Sequence, residues 1–273
     1  MAFVSIRARM MVARAVCFVA FAVLAAACAS GPKKPPVGAD EPDKFLFEYG
    51  MTALEERRWF VAREYFRQLI DSYPQSPFRA DAKLGVGDSY LGEGSAEAQI
   101  MAINEFKEFL TFFPTHPRAD YAQFQLGMAH FEEMRSAARD QSETKQAIAE
   151  FTTFVERYPN SKLIDDARQR LREAKDRLSE HDFRVGQFYL RSRMSIPGAI
   201  DRFNTILKND PEYTRRDEVY YHMAQALVEL GQPAAAIPYL DKLLAEFEQS
   251  EYLERAREQV TKLKADMEAL IKK

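Results

Sequence analysis

The stretch Ala102-Ile103-Asn104-Glu105-Phe106, closed eight residues later by Pro114, decides how this chain folds. A small residue, a large apolar residue four places on and a proline twelve places on return as Ala62, Phe66, Pro74. They return again as Ala147, Phe151, Pro159 and as Ala199, Phe203, Pro211. A degraded fifth copy has Ala236 and Leu240, with Glu248 in the proline position. Four residues is about one helical turn, so the small and large residues share a helix face. Proline cannot continue the helix and pushes its predecessor towards extended geometry. Upstream of each copy lies another group with a small residue at its centre. These are Tyr49-Gly50 with Ala53, Val86-Gly87 with Tyr90, Leu126-Gly127 with His130, Val185-Gly186 with Tyr189, and Met223-Ala224 with Leu227.

Two helices that approach through small residues, the second closed by proline, make the tetratricopeptide repeat of about 34 residues. The expected fold is all-α, a tetratricopeptide-repeat superhelix of five helix-turn-helix repeats plus a C-terminal capping helix from Tyr252 to Leu270. The intervals are unequal, and the surplus is expected in loops at Glu93–Ala98 and Arg135–Glu143. A long charged helix from about Leu163 to Ser192 should join the first three repeats to the last two. Ser76, with Pro77 behind it, and Ser161 read as helix N-caps. Pro238 falls inside a helix and predicts a kink or a late start.

The first residues carry Arg7, Arg9 and Arg14 without an acid, then an apolar run from Ala15 to Ala27. That is the plan of a cleaved secretory signal, residues 1–27, too short for a comfortable membrane span. Its end, Leu24-Ala25-Ala26-Ala27-Cys28, is similar to the lipobox of bacterial lipoproteins, although Ala25 stands where leucine is usual. An ordinary secretory signal remains the alternative. Cys17 would leave with the signal, so Cys28 would be a lone thiol, which acylation explains. The expected modification is a covalent diacylglyceryl and N-acyl lipid on Cys28, with no other cofactor. Ala29 instead of Asp favours the outer membrane. Residues 28–42 read as a Gly/Pro/Lys-rich tether.

The chain has 273 residues, 47% of them hydrophobic, including 20 Phe and 12 Tyr, enough for a core. Its formal charge is −3, which argues against a nucleic-acid surface. His116, His130, His181 and His222 show no metal-ligand spacing, and no catalytic or metal residue is predicted. On the first helices of repeats one to three, Phe47, Met51, Leu54, Leu84, Leu91, Tyr121, Phe124, Met128 and Phe131 fall outside the packing positions. They read either as an apolar peptide groove or as core. Trp59 reads as packing.

Phe112-Phe113-Pro114-Thr115-His116-Pro117, Asp120-Tyr121-Ala122 and Gly127 resemble the BamD family of outer-membrane assembly lipoproteins. Arg139-Asp140-Gln141, Arg157-Tyr158-Pro159-Asn160-Ser161, Asp176-Arg177-Leu178 with His181, Phe188-Tyr189 and Ala199-Ile200-Asp201-Arg202-Phe203 continue the likeness. It implies a non-catalytic scaffold at the periplasmic face of a Gram-negative outer membrane. Implied partners are a BamA-like barrel protein with POTRA domains, other lipoproteins of the same machine and unfolded outer-membrane proteins. Residues 43–160 would hold the substrate groove, and residues 161–273 would dock the partner. Arg193, or Arg191 if the register shifts by the extra residue seen here, would make the charged contact. Another periplasmic repeat lipoprotein, such as a secretin pilotin or a cell-envelope coordinator, is the nearest alternative. A wall hydrolase using Glu132 or Glu133 is the enzymatic one.

Overall fold

The computed structural model describes residues 40–271; the signal, Cys28 and nearly all of the tether lie outside the described residues. The described chain is helical: α1 Pro42–Glu55, α2 Trp59–Ser72, α3 Arg79–Glu93, α4 Ala96–Phe112, α5 Ala119–Glu132, α6 Ser142–Arg157, α7 Ile164–Ser192, α8 Ile196–Asn209, α9 Arg216–Glu229, α10 Pro233–Glu246 and α11 Leu253–Ile271. The first ten pair into five tetratricopeptide repeats, and α11 packs on α10. Two compact units result, one ending at His116 with repeats one and two, the other beginning at Pro117.

The recurring small residues and phenylalanines meet face to face. A Cβ on Gly127 would stand 2.8 Å from Phe151 Cε1, and one on Gly186 would stand 2.6 Å from Phe203 Cε1. Phe66 is wedged between Gly50 of its own repeat and Gly85 of the next. All three rings are fully buried, so each contributes roughly 1.5–3 kcal/mol through burial alone.

Helices end as the prolines require. Tyr73, Phe113, Tyr158 and Asp210, each before a proline, leave helical geometry at φ between −126° and −139°. Phe247 does the same at φ −132° with Glu248 behind it. Proline is therefore not required there.

Ser76 and Ser161 lie one turn before their helices instead of capping them. Their hydroxyls accept the N–H of Phe78 and Leu163 at 3.1 Å, while Phe78 and Leu163 hold the cap positions. Ser161 also donates to Asp120 at 2.6 Å, Ser250 donates to Asp217 at 2.6 Å, and Ser76 bonds Asp43. A short staple thus ties the turn before each of these helices to the start of the preceding repeat.

One further local expectation changes, and another loses one of its two alternatives. Residues 93–98 form no long loop: Gly94 at φ 70° ends α3, Ser95 caps α4 by accepting from Ala98 N at 3.2 Å, and the surplus lengthens α4. The fifth repeat's second helix does not start late; Pro233 sits in its first turn and the helix runs through Pro238. Expected features that match include the long helix, Ile164–Ser192, and the packing of Trp59, whose ring fills the space a Cβ on Gly92 would need.

Candidate functional surfaces

In the first unit, Phe47 stacks on Phe78 at 5.1 Å, and Met51 and Leu54 pack against the Leu46–Phe66–Leu69 core. All three keep part of their surface accessible. Leu84 does not: it is fully buried, so it belongs to the core and to no groove. Helical periodicity marked both kinds of position alike, which is why sequence could not separate them.

In the second unit, Tyr121 lies under the Arg118 guanidinium at 4.5 Å and accepts at its hydroxyl from Gln125 Nε2 at 2.9 Å. Phe124 meets Phe151 and Phe154 edge-on at 5.8 and 5.9 Å. Phe131 lies against Phe151 at 6.1 Å beneath Arg170, and Met128 packs on the same cluster. These four side chains form a half-buried apolar face. Glu132 and Glu133 lie exposed at the end of α5.

A cavity of about 490 Å³ lies along α7, between the loops at Ser136–Ala137 and Tyr213–Arg215. Its walls are charged, and Glu180 on them pairs with Arg184 at 2.7 Å and Arg215 at 2.9 Å. Beside the lining, Arg172 bonds Asp210 at 2.5 Å and the wall residue Asp176 at 3.0 Å, and Ser179 donates to Asp210 at 2.7 Å. Tyr213 donates to Glu180 at 3.0 Å; burial, with the Glu180 charge second, pushes its phenol far above the usual value. His181 Nδ1 meets the Ala137 carbonyl at 2.7 Å, and Gln141 donates to the carbonyls of Ser136 and Arg139. The Arg139-Asp140-Gln141 motif and His181 thus shape the α5–α6 loop against α7. Carboxylates held in ion pairs are poorly placed for acid–base chemistry. Among the described residues no group of three His, Cys, Asp or Glu could hold a metal.

The end of α7 is different, because its charges are free. Arg191 and Arg193 are exposed, and no ion pair within the described chain engages either. Arg193 is left-handed, φ 52° and ψ 21°, with its N–H on the Leu190 carbonyl at 3.2 Å. Phe188 is 58% and Met194 69% exposed beside it. Sequence reasoning named the arginines, and Phe188 only as part of the family likeness, and read neither apolar neighbour as exposed surface. Exposed large side chains at i−5 and i+1 of the arginine were the available signal. Below this surface, His222 packs among Phe183, Tyr221 and Tyr252. Gln187 Nε2 donates to its Nε2 at 3.0 Å, and its Nδ1–H donates to Gln225 Oε1 at 3.0 Å, which fits the neutral ring. Burial, with Arg191 adding repulsion, holds the His222 pKa below the ordinary 6.5.

The YfiO family, described as outer membrane lipoproteins, matches residues 39–239, from the first repeat into the fifth. The chain belongs to this family. Among curated relatives, the outer membrane protein assembly factor BamD of Caulobacter vibrioides is 29% identical, over 76% of this chain and 67% of that protein. BamD of Vibrio cholerae is also 29% identical, over 75% and 86%. Haemophilus influenzae BamD is 24% identical, over 82% and 86%. Solved structures similar to the chain include MamA, 17% identical with TM-score 0.38 over 78% of this chain and 96% of that one. Another is the TPR2AB domain of yeast Sti1, 13% identical with TM-score 0.40 over 83% and 100%. The family's members are outer-membrane protein assembly factors of Gram-negative bacteria. No described helix is long and apolar enough to cross a membrane.

Proposed function

We propose that this family member is a non-catalytic scaffold, anchored by lipid on Cys28 at the periplasmic face of the outer membrane. It docks the POTRA domains of a BamA-like barrel protein and presents unfolded outer-membrane proteins to it, alongside other lipoproteins of the machine. The observation that carries this reading is the α7 end. Two unpaired arginines beside exposed Phe188 and Met194 give an acidic partner surface both a charge contact and apolar area.

Arg193 is the stronger of the two contact residues, because the left-handed turn holds its Cα outside the helix. Substrate segments would lie on the half-buried apolar faces, Phe47, Met51 and Leu54 on one unit and Tyr121, Phe124, Met128 and Phe131 on the other. Neither face offers the deep, dry pocket of a small-molecule site, which suits weak, varied contact with unfolded chains.

Arg193→Glu tests the docking. Partner recovery from membranes should drop at least tenfold while the helical circular dichroism signal stays unchanged. Arg191→Glu should have a smaller effect, and equal effects of the two would return the contact to the α7 helix itself.

A further inference from the structure

Among the described residues, two that are not glycine have positive φ, and both are arginines: Arg57 at 58° and Arg193 at 52°. Each sits in the turn between the two helices of a repeat. Repeat five shows what that position needs. Gly231, at φ 79°, sends its N–H to the Val228 carbonyl at 3.0 Å, and Gln232 sends its N–H to Leu227 at 2.9 Å. Repeat one has the same pattern, with Arg57 N–H to Leu54 at 3.0 Å and Arg58 N–H to Ala53 at 2.8 Å. Glycine takes this conformation without strain, whereas a residue with a Cβ does not. Arg57 therefore stands where glycine would serve the fold better.

Its surroundings leave its charge unanswered. Glu56 is held by Arg58 at 2.5 Å and Glu93 by Arg63 at 2.5 Å, and no carboxylate among the described residues pairs with Arg57. Three residues on, Phe60 is 65% exposed. Between them Trp59 is wedged against Gly92, which fixes the turn. Like Arg193 with Met194 and Phe188, Arg57 is a left-handed arginine without an ion pair whose near sequence neighbours include an exposed large apolar side chain, although the spacing differs.

We propose that the repeat-one turn, Arg57 with Phe60, is a second protein-docking point, independent of the Arg193 surface. It takes an acidic segment of a partner protein that carries a large apolar side chain near its carboxylate. Burying Phe60 supplies apolar contact, and the partner carboxylate supplies the charge that Arg57 lacks. A membrane surface fits less well. Of the two adjacent arginines only Arg57 lacks a partner, Arg58 being paired with Glu56, whereas headgroup-binding segments concentrate several uncompensated cations.

The test places photoreactive p-benzoylphenylalanine at Phe60 in the full-length protein and irradiates native membranes. One protein adduct is expected, mapping to a segment with Asp or Glu close to the linked residue. Arg57→Glu should reduce its yield at least tenfold, and changing that partner carboxylate to lysine should restore it. Arg57→Gly should also lose the adduct while melting no lower than wild type, since it relieves the left-handed strain. An adduct unaffected by Arg57→Glu, one mapping to a segment without a carboxylate, one with lipid or a second copy of this chain, or no adduct overturns the proposal. So does a lower melting temperature in Arg57→Gly, which would make Arg57 a structural residue. Because crosslinking at residue 60 is read without reference to Arg193, failure here and failure of the Arg193 contact are separate results.

Discussion

Arg193 and Gly231 share a left-handed backbone with the N–H on a carbonyl three residues back, Arg193 at the C-cap of α7 and Gly231 one residue past the C-cap of α9. Only one of them is the residue that local geometry prefers. Replacing Arg193 by glycine should therefore leave stability within about 1 kcal/mol of wild type, because relief of strain offsets the added freedom of the unfolded chain. Partner recovery should fall nonetheless. Urea unfolding and co-purification on the same variant check both halves; a loss of several kcal/mol would show that the side chain holds the fold.

The glycine–phenylalanine contacts predict a steric penalty with a specific cure. Gly127→Ala would place a methyl 2.8 Å from Phe151 Cε1 on a fully buried ring, and overpacking of this kind costs about 1–3 kcal/mol. Combining it with Phe151→Leu should cost less than the sum of the single changes, because the shorter side chain makes room. Additive losses in denaturant titrations would contradict the contact.

The serine staples predict a pH signature. The Ser76 hydroxyl is the main reason that the Asp43 carboxyl titrates below its ordinary 3.8. A lowered folded-state pKa adds stability above the unfolded value and loses it as pH falls through the folded one. An NMR titration should place Asp43 below 3.8 in the wild type and higher in Ser76→Ala. An unmoved midpoint would remove the staple's electrostatic part.

Buried His222 gives a second pH dependence in a higher range. Its folded-state pKa lies below 6.5, so the unfolded chain takes up the proton first as pH falls. Stability is complete above about 6.5 and declines as pH drops towards the folded pKa. His222→Gln should lose less stability than wild type between pH 8 and pH 5. Equal losses would mean that other groups carry the acid sensitivity.

Much of the architecture was legible because its causes are local. Ala102, Phe106 and Pro114 each act within one helix or its exit, so their spacing reports the repeat directly. The surplus near Glu93 misled because a longer α4 and a longer loop need the same number of residues, and only the Gly94–Ser95 caps decide between them. Ser161 and Asp120 are joined across distant sequence, so no local pattern announces their bond. Leu84 carried the same helical period as Met51 and Leu54 yet is core, since periodicity gives a face but not what covers it. Arg193 was named from family likeness; its left-handed backbone has no sequence signal when glycine is absent.

The most direct measurement is a mild-detergent pull-down of the tagged full-length protein from native membranes, with co-eluting proteins identified by mass spectrometry. The account predicts a large barrel protein with periplasmic POTRA domains, recovered with wild type and lost with Arg193→Glu. Recovery of a secretin in its place, or of the barrel protein undiminished by Arg193→Glu, would contradict it.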